Sequence, residues 1–176
     1  MNLLHDISSG NDVPNEINVI VEINKGSKNK YELDKETGLI KLDRVMHTSQ
    51  DYPFDYGYVP QTHWHDGDPL DVLLLTTYPL MPGILVEARP VAVMDMVDSG
   101  ESDAKIIAVP VGDPRFKNVQ SLKDINEHTL KEIEHFWVTY KQVQKKVVTI
   151  ESIRDVEDAK SVIKESIELY KEKFTK

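Results

Sequence analysis

The sequence predicts a mainly β fold with α: an antiparallel barrel or sandwich, followed by two helices in the C-terminal region. Three observations carry that expectation. All nine Pro lie between Pro14 and Pro114 and all eight Gly between Gly10 and Gly112, so turn punctuation stops well before the C-terminus. Within that span, short β-rich runs alternate with turn signals. Beyond it, apolar residues recur at helical spacing.

Each element follows from its local pattern. Ile17–Ile23 places Ile17, Val19, Val21 and Ile23 on one face of a strand, with Asn18, Ile20 and Glu22 on the other. A strand over 30–33 follows a polar turn containing Gly26, and one over 39–42 follows Gly38. Further runs at 56–59, 72–76, 84–97 and 105–111 complete the body. Pro90 removes a backbone donor inside the 84–97 run, which predicts an edge position or a bend there. In the tail, Leu130, Ile133, Trp137 and Tyr140 share one helix face, 147–153 reads as one more strand, and Asp155 caps a second helix. The stripe of that helix is Val156, Ala159, Ile163, Ile167, Tyr170 and Phe174. Both stripes read as core-packing faces.

Composition bounds the function. The chain has 176 residues, 40% hydrophobic and 29% charged, as a folded domain does and a disordered chain does not. With no Cys, disulfide scaffolds, Cys-ligated zinc, iron–sulfur clusters and thiol nucleophiles are excluded. No apolar run approaches the ~20 residues of a membrane span. The start, with Asp6 and no basic-then-apolar pattern, does not read as a signal peptide, so a cytoplasmic location is expected. The net charge of −9 argues against nucleic acid, which needs a basic field, and against an anionic membrane surface.

The most unusual stretch is Asp66-Gly67-Asp68-Pro69-Leu70-Asp71. If extended, it points Asp66 and Asp68 to the same side. Convergent carboxylates repel unless a cation sits among them, and all-oxygen ligands select Mg²⁺, Mn²⁺ or Ca²⁺. The spacing is not that of an EF-hand. The same stretch also reads as a solvated Asp/Gly/Pro surface turn. Two neighbours favour a site: a second acidic group, Asp98, Glu101 and Asp103, ending at Lys105, and an aromatic block, Tyr52 to Tyr58. His63 and His65 flank Trp64 just upstream; a transition-metal site is conceivable there, but they read better as exposed loop residues.

At these residues the chain resembles the family I soluble inorganic pyrophosphatases of the prokaryotic type. The resemblance rests on Asp66-Gly67-Asp68-Pro69-Leu70-Asp71-Val72 together with Glu22, Lys30-Tyr31-Glu32-Leu33-Asp34, Asp43-Arg44, Tyr52-Pro53 and Tyr56-Gly57-Tyr58. Tyr78-Pro79-Leu80, Arg89-Pro90-Val91, Asp98, Asp103-Ala104-Lys105 and Tyr140-Lys141 continue it in colinear order over roughly 15–145. It implies one pyrophosphatase-like domain over 1–176, built on a closed five-stranded OB-type β-barrel with two helices. It implies Mg²⁺-dependent hydrolysis of inorganic diphosphate to two phosphates by a metal-activated water attacking in line, with Mn²⁺ as a substitute ion. By the same resemblance Asp66, Asp71 and Asp103 are metal ligands, with Asp98 joining them around further ions, and Asp68 is the general base. Lys30, Arg44, Tyr56, Lys105, Tyr140 and Lys141 would hold phosphate groups; Glu22, Glu32 and Tyr52 would line the site.

One position departs from the pattern. Relatives often carry an acid after Asp98, where this chain has Ser99; either Glu101 substitutes or one peripheral metal binds more weakly. The resemblance also implies a homohexamer built as a dimer of trimers. His128 and His135, seven residues apart on one helix face, are interface candidates or plain exposed histidines. Two rival readings use the same residues: another metal-dependent phosphohydrolase acting on nucleotides or phosphate esters, and a non-enzymatic OB-fold binding module.

Overall fold

The computed structural model describes residues 1–174. Eight strands and two α-helices follow one another: β1 (Ile17–Ile23), β2 (Asn29–Leu33), β3 (Ile40–Val45), β4 (Asp55–Tyr58), β5 (Asp71–Leu74), β6 (Leu85–Asp98), β7 (Glu101–Pro110), α1 (Glu127–Thr139), β8 (Val148–Asp155) and α2 (Val156–Phe174). Every expected element is present, with boundaries moved by at most four residues.

The strands close on themselves. β1 pairs with β4, β4 with β5, β5 with β7, β7 with β6, and β6 returns to β1. That ring of five is a closed OB-type barrel, with β8 added outside on β6 and a separate β2–β3 hairpin. The expectation of an all-antiparallel sheet is corrected at one seam. β5 and β7 run parallel, in register from Asp71↔Lys105 to Leu74↔Ala108. The intervening loop and β6 supply the long crossover that a parallel pair requires.

β6 makes closure possible by serving two partners. Its first part pairs with β1 through Ala88, and its second part pairs with β8 from Ala92 onward. Pro90 falls between the two, where no N–H is needed toward either partner, and the β6–β7 register shifts between Pro90 and Ala92. The bend read from the sequence is therefore real; an edge position is not. At the β1–β4 seam the backbones approach so closely that a Cβ on Gly57 would stand 1.9 Å from the Ile20 carbonyl oxygen.

Alternating side chains divide into two apolar clusters. Ile107, Leu73 and Met94 pack with Ile133, Phe136 and Trp137 of α1. Ile106, Val72 and Val93 pack with Ala159, Val162 and Ile163 of α2. Both helical stripes bury as expected, apart from Phe174, which is exposed at the end of α2. Asp155 closes β8 and accepts the first N–H of α2, from Val156, at 2.8 Å. Among the described residues no helix is long and apolar enough to cross a membrane.

Candidate active site

The barrel's open rim holds a cleft of about 700 Å³. Six strands and the segment after α1 bring sequence-predicted side chains to it. Glu22 comes from β1, Lys30 and Glu32 from β2, Tyr56 from β4 and Asp71 from the start of β5. Asp98 ends β6, Asp103 and Lys105 lie on β7, and Tyr140 and Lys141 follow α1. Asp66, Asp68 and Tyr52 reach in from loops. Thus every sequence-predicted site residue lines this cleft except Arg44. Arg44 lies opposite Lys30 in the β2–β3 register and donates to Asp43 at 2.8 Å. Its charge is nonetheless felt by Tyr52, Tyr140 and Lys141.

The centre of the site follows from strand geometry. Asp103 and Lys105 are two apart on β7 and so share a face, while Asp71 sits beside Lys105 across the parallel seam. The Lys105 ammonium donates to Asp71 Oδ2 at 2.7 Å, Asp103 Oδ1 at 3.0 Å and the Tyr56 hydroxyl at 2.8 Å. Burial works against the Lys105 charge, but Asp71 and Asp103 outweigh it and raise the ammonium pKa above its usual value. Burial is also the main cause that pushes up the Tyr56 and Tyr140 hydroxyls, so both stay protonated donors at neutral pH.

The acid loop takes another shape than an extended chain. Asp66 accepts the Asp68 N–H at 3.0 Å, Trp64 N–H bonds the Asp68 carbonyl at 2.7 Å, and Gly67 has a φ of +92°. Asp66-Gly67-Asp68 is therefore a tight turn, because the Asp side chain satisfies the backbone two residues on. The chain is not extended there, and both acids line the cleft. Asp98 is engaged by Lys141, by Ser99 Oγ at 2.9 Å and by the Tyr140 hydroxyl at 3.3 Å. Ser99 forms the β6–β7 turn with Gly100, and Glu101 also reaches the cleft.

Glu22 is the most perturbed acid. It is buried, its Oε1 accepts the Leu33 N–H at 2.7 Å, and burial followed by repulsion from Asp71 pushes its pKa up to about 8. Burial likewise raises Asp66 and Asp103. Among the described residues no three His, Asp or Glu side chains close on one point as a metal cluster. The donor set of Asp66, Asp71 and Asp103 still fits a hard divalent cation: it is all oxygen, and burial of Asp66 and Asp103 makes a nearby positive charge favourable for them.

Lys35, Glu36, Lys41 and Trp137 also line the cleft, and the sequence does not mark them as site residues. Lys35, from the β2–β3 turn, pairs with Asp68 and donates to the Gly67 carbonyl at 3.3 Å. The helical spacing of Trp137 predicts core packing, because spacing reports burial and not which charge a ring covers. His63 and His65 stay outside the cleft and face α2, where His65 Nε2 lies 3.0 Å from Glu165. His128 and His135 are exposed, beside a second hollow of about 440 Å³.

Barrel and cleft together define a class: an OB-barrel protein with a carboxylate-and-lysine site suited to a polyanion. The family model for inorganic pyrophosphatase matches residues 19–171, and the chain belongs to that family. The inorganic pyrophosphatase of Haloferax volcanii is 47% identical over 99% of both chains. A soluble inorganic pyrophosphatase of Chlamydomonas reinhardtii is 44% identical over 97% of this chain and 88% of that one. The inorganic pyrophosphatase crystal structure from Thermus thermophilus superposes with a TM-score of 0.94 at 41% identity, covering 97% of this chain and 99% of that one.

Proposed function

We propose that this chain hydrolyses inorganic diphosphate to two phosphates, with Mg²⁺ as its cofactor and Mn²⁺ able to replace it. The observation that carries the reading is the Lys105 ammonium held between Asp71 and Asp103 in a cleft rimmed by further acids and lysines. That is the charge pattern for a polyanion bound together with cations. Family membership over nearly the whole chain supports the same reaction.

Asp66, Asp71 and Asp103 would hold Mg²⁺, with Asp98 beside further ions, and the metal would supply charge neutralisation and acidify water. Asp68, exposed at the cleft mouth, accepts the proton of the attacking water on a carboxylate oxygen. Lys30 and Lys141 bind phosphate oxygens by charge-assisted bonds, Arg44 would join them by turning from Asp43 toward the cleft, and Tyr56 and Tyr140 add neutral hydroxyl donors. Lys105 supplies fixed positive charge at the centre. Glu22, Glu32 and Tyr52 shape the wall. In this reading one domain over 1–176 does the chemistry, in a cytoplasmic homohexamer that takes no nucleic acid or membrane as partner.

The test is phosphate release from diphosphate with Mg²⁺, with EDTA, and with ATP in place of diphosphate. Mg²⁺-dependent release with preference for diphosphate is expected. Preference for ATP would replace this reading by that of a nucleotide phosphohydrolase.

A further inference from the structure

Lys105 uses all three ammonium donors, on Asp71, Asp103 and Tyr56, and its side chain is only 3% exposed. What covers it otherwise is aromatic. The ammonium lies 4.7 Å from the Trp137 ring centroid and 5.3 Å from that of Tyr56, both within cation–π range.

The choice of tryptophan is informative. Trp137 is 2% exposed, and its Nε1 is buried with no hydrogen-bond partner among the described residues. An unpaired buried donor costs stability, which a phenylalanine at the same place would not incur. Packing alone therefore does not account for an indole here. The indole has the strongest cation–π face of the three aromatic rings, and it meets a lysine that already has two carboxylates. The neighbouring Phe136, Phe54 and Tyr52 rings hold Trp137 at centroid distances of 5.2, 5.8 and 6.5 Å, so the face is fixed in place.

We infer that Trp137 is a positioning residue that, with Tyr56, pins the Lys105 ammonium at one point between Asp71 and Asp103. The two carboxylates pull the ammonium toward themselves, and the ring blocks its exit on the remaining side. The positive charge that faces the substrate then stands at a set place instead of sweeping through a lysine's rotamers. This inference rests on the diphosphate reading for its kinetic consequence, but the contact itself does not.

The contact is tested without substrate. The chain has two tryptophans, so Trp64→Phe leaves Trp137 as the only one. Adding Lys105→Met should change the emission maximum or intensity of Trp137, and an unaltered spectrum overturns the inference whatever the protein hydrolyses. The consequence is tested by comparing Trp137→Phe with Trp137→Leu. A weaker aromatic face should raise KM for diphosphate about threefold and an aliphatic side chain about 10- to 30-fold, with kcat moving by less than about twofold in both. Equal KM values for the two variants at matched thermal stability would show a packing role only and overturn the positioning. Failure of the wild-type protein to release phosphate would sink the diphosphate reading and leave the fluorescence result standing.

Discussion

Exposure separates Asp68 from the aspartates proposed to hold metal. The Asp68 side chain is 58% exposed, against 21% for Asp71, 17% for Asp98 and 13% for Asp103. A base must meet water, whereas ligands are better sheltered from it, and the sequence alone offered no such distinction among the acids. Asp68→Asn keeps the volume and the turn but removes the proton acceptor. Turnover of diphosphate should fall by about 10²- to 10⁴-fold with an unchanged circular dichroism spectrum and melting point. Near wild-type turnover would refute the assignment. Glu22 makes a different prediction, about stability. Its folded pKa of about 8 lies above the ordinary 4.5, so between those values the folded chain holds a proton that the unfolded chain has released. Its favourable contribution is complete below about pH 4.5 and is lost as pH rises through 8. In EDTA-treated protein, Glu22→Gln should therefore lose less stability between pH 5 and pH 9 than wild type does. Parallel denaturation curves at the two pH values would contradict this.

At the scale of elements, strands and helices were legible because each carries its own periodicity, and Pro90 even marked where β6 changes partner. Direction was not legible. Alternation encodes which face is buried, and it is the same for a parallel and an antiparallel neighbour, so the β5–β7 seam could not be read. That seam sets Asp71 beside Lys105, which means the centre of the site was predictable by residue type but not by arrangement. Trp137 was hidden for a related reason: its stripe announced burial in α1, and only the fold shows the lysine under its ring. Gly57 belongs to the Tyr56-Gly57-Tyr58 motif because of the β1–β4 approach. A methyl group there would meet the Ile20 carbonyl oxygen at 1.9 Å, with backbone on both sides of the clash. Gly57→Ala should cost about 3–5 kcal/mol, or prevent soluble folding, because the strands must separate or a ring pairing must break. A chemical denaturation midpoint equal to wild type would show that the seam yields freely.

For the molecule as a whole, the charge of −9 gives the wrong impression of what the site accepts. Several of the 30 acids converge on one rim together with Lys30, Lys35, Lys105 and Lys141, so the repulsion is local and cations relieve it locally. Its energetic consequence appears in folding as well as in catalysis. An ion that binds only the folded chain stabilises it by about 2.7 kcal/mol when present at 100 times its dissociation constant. For a chain of this size that corresponds to a rise of roughly 5–10 °C in melting temperature. Mg²⁺ at that excess should raise the melting temperature by this amount over an EDTA control of matched ionic strength, and Na⁺ should not. Asp71→Ala removes an acid that already leans on Lys105 and that the family resemblance assigns to the metal. In that variant the Mg²⁺ increment should shrink to a small fraction, and the Mg²⁺ concentration needed for half-maximal diphosphate hydrolysis should rise at least tenfold. An Asp71→Ala protein with an unchanged increment and an unchanged metal titration would show that the ion is held elsewhere. The acids of the rim would then serve only to place Lys105.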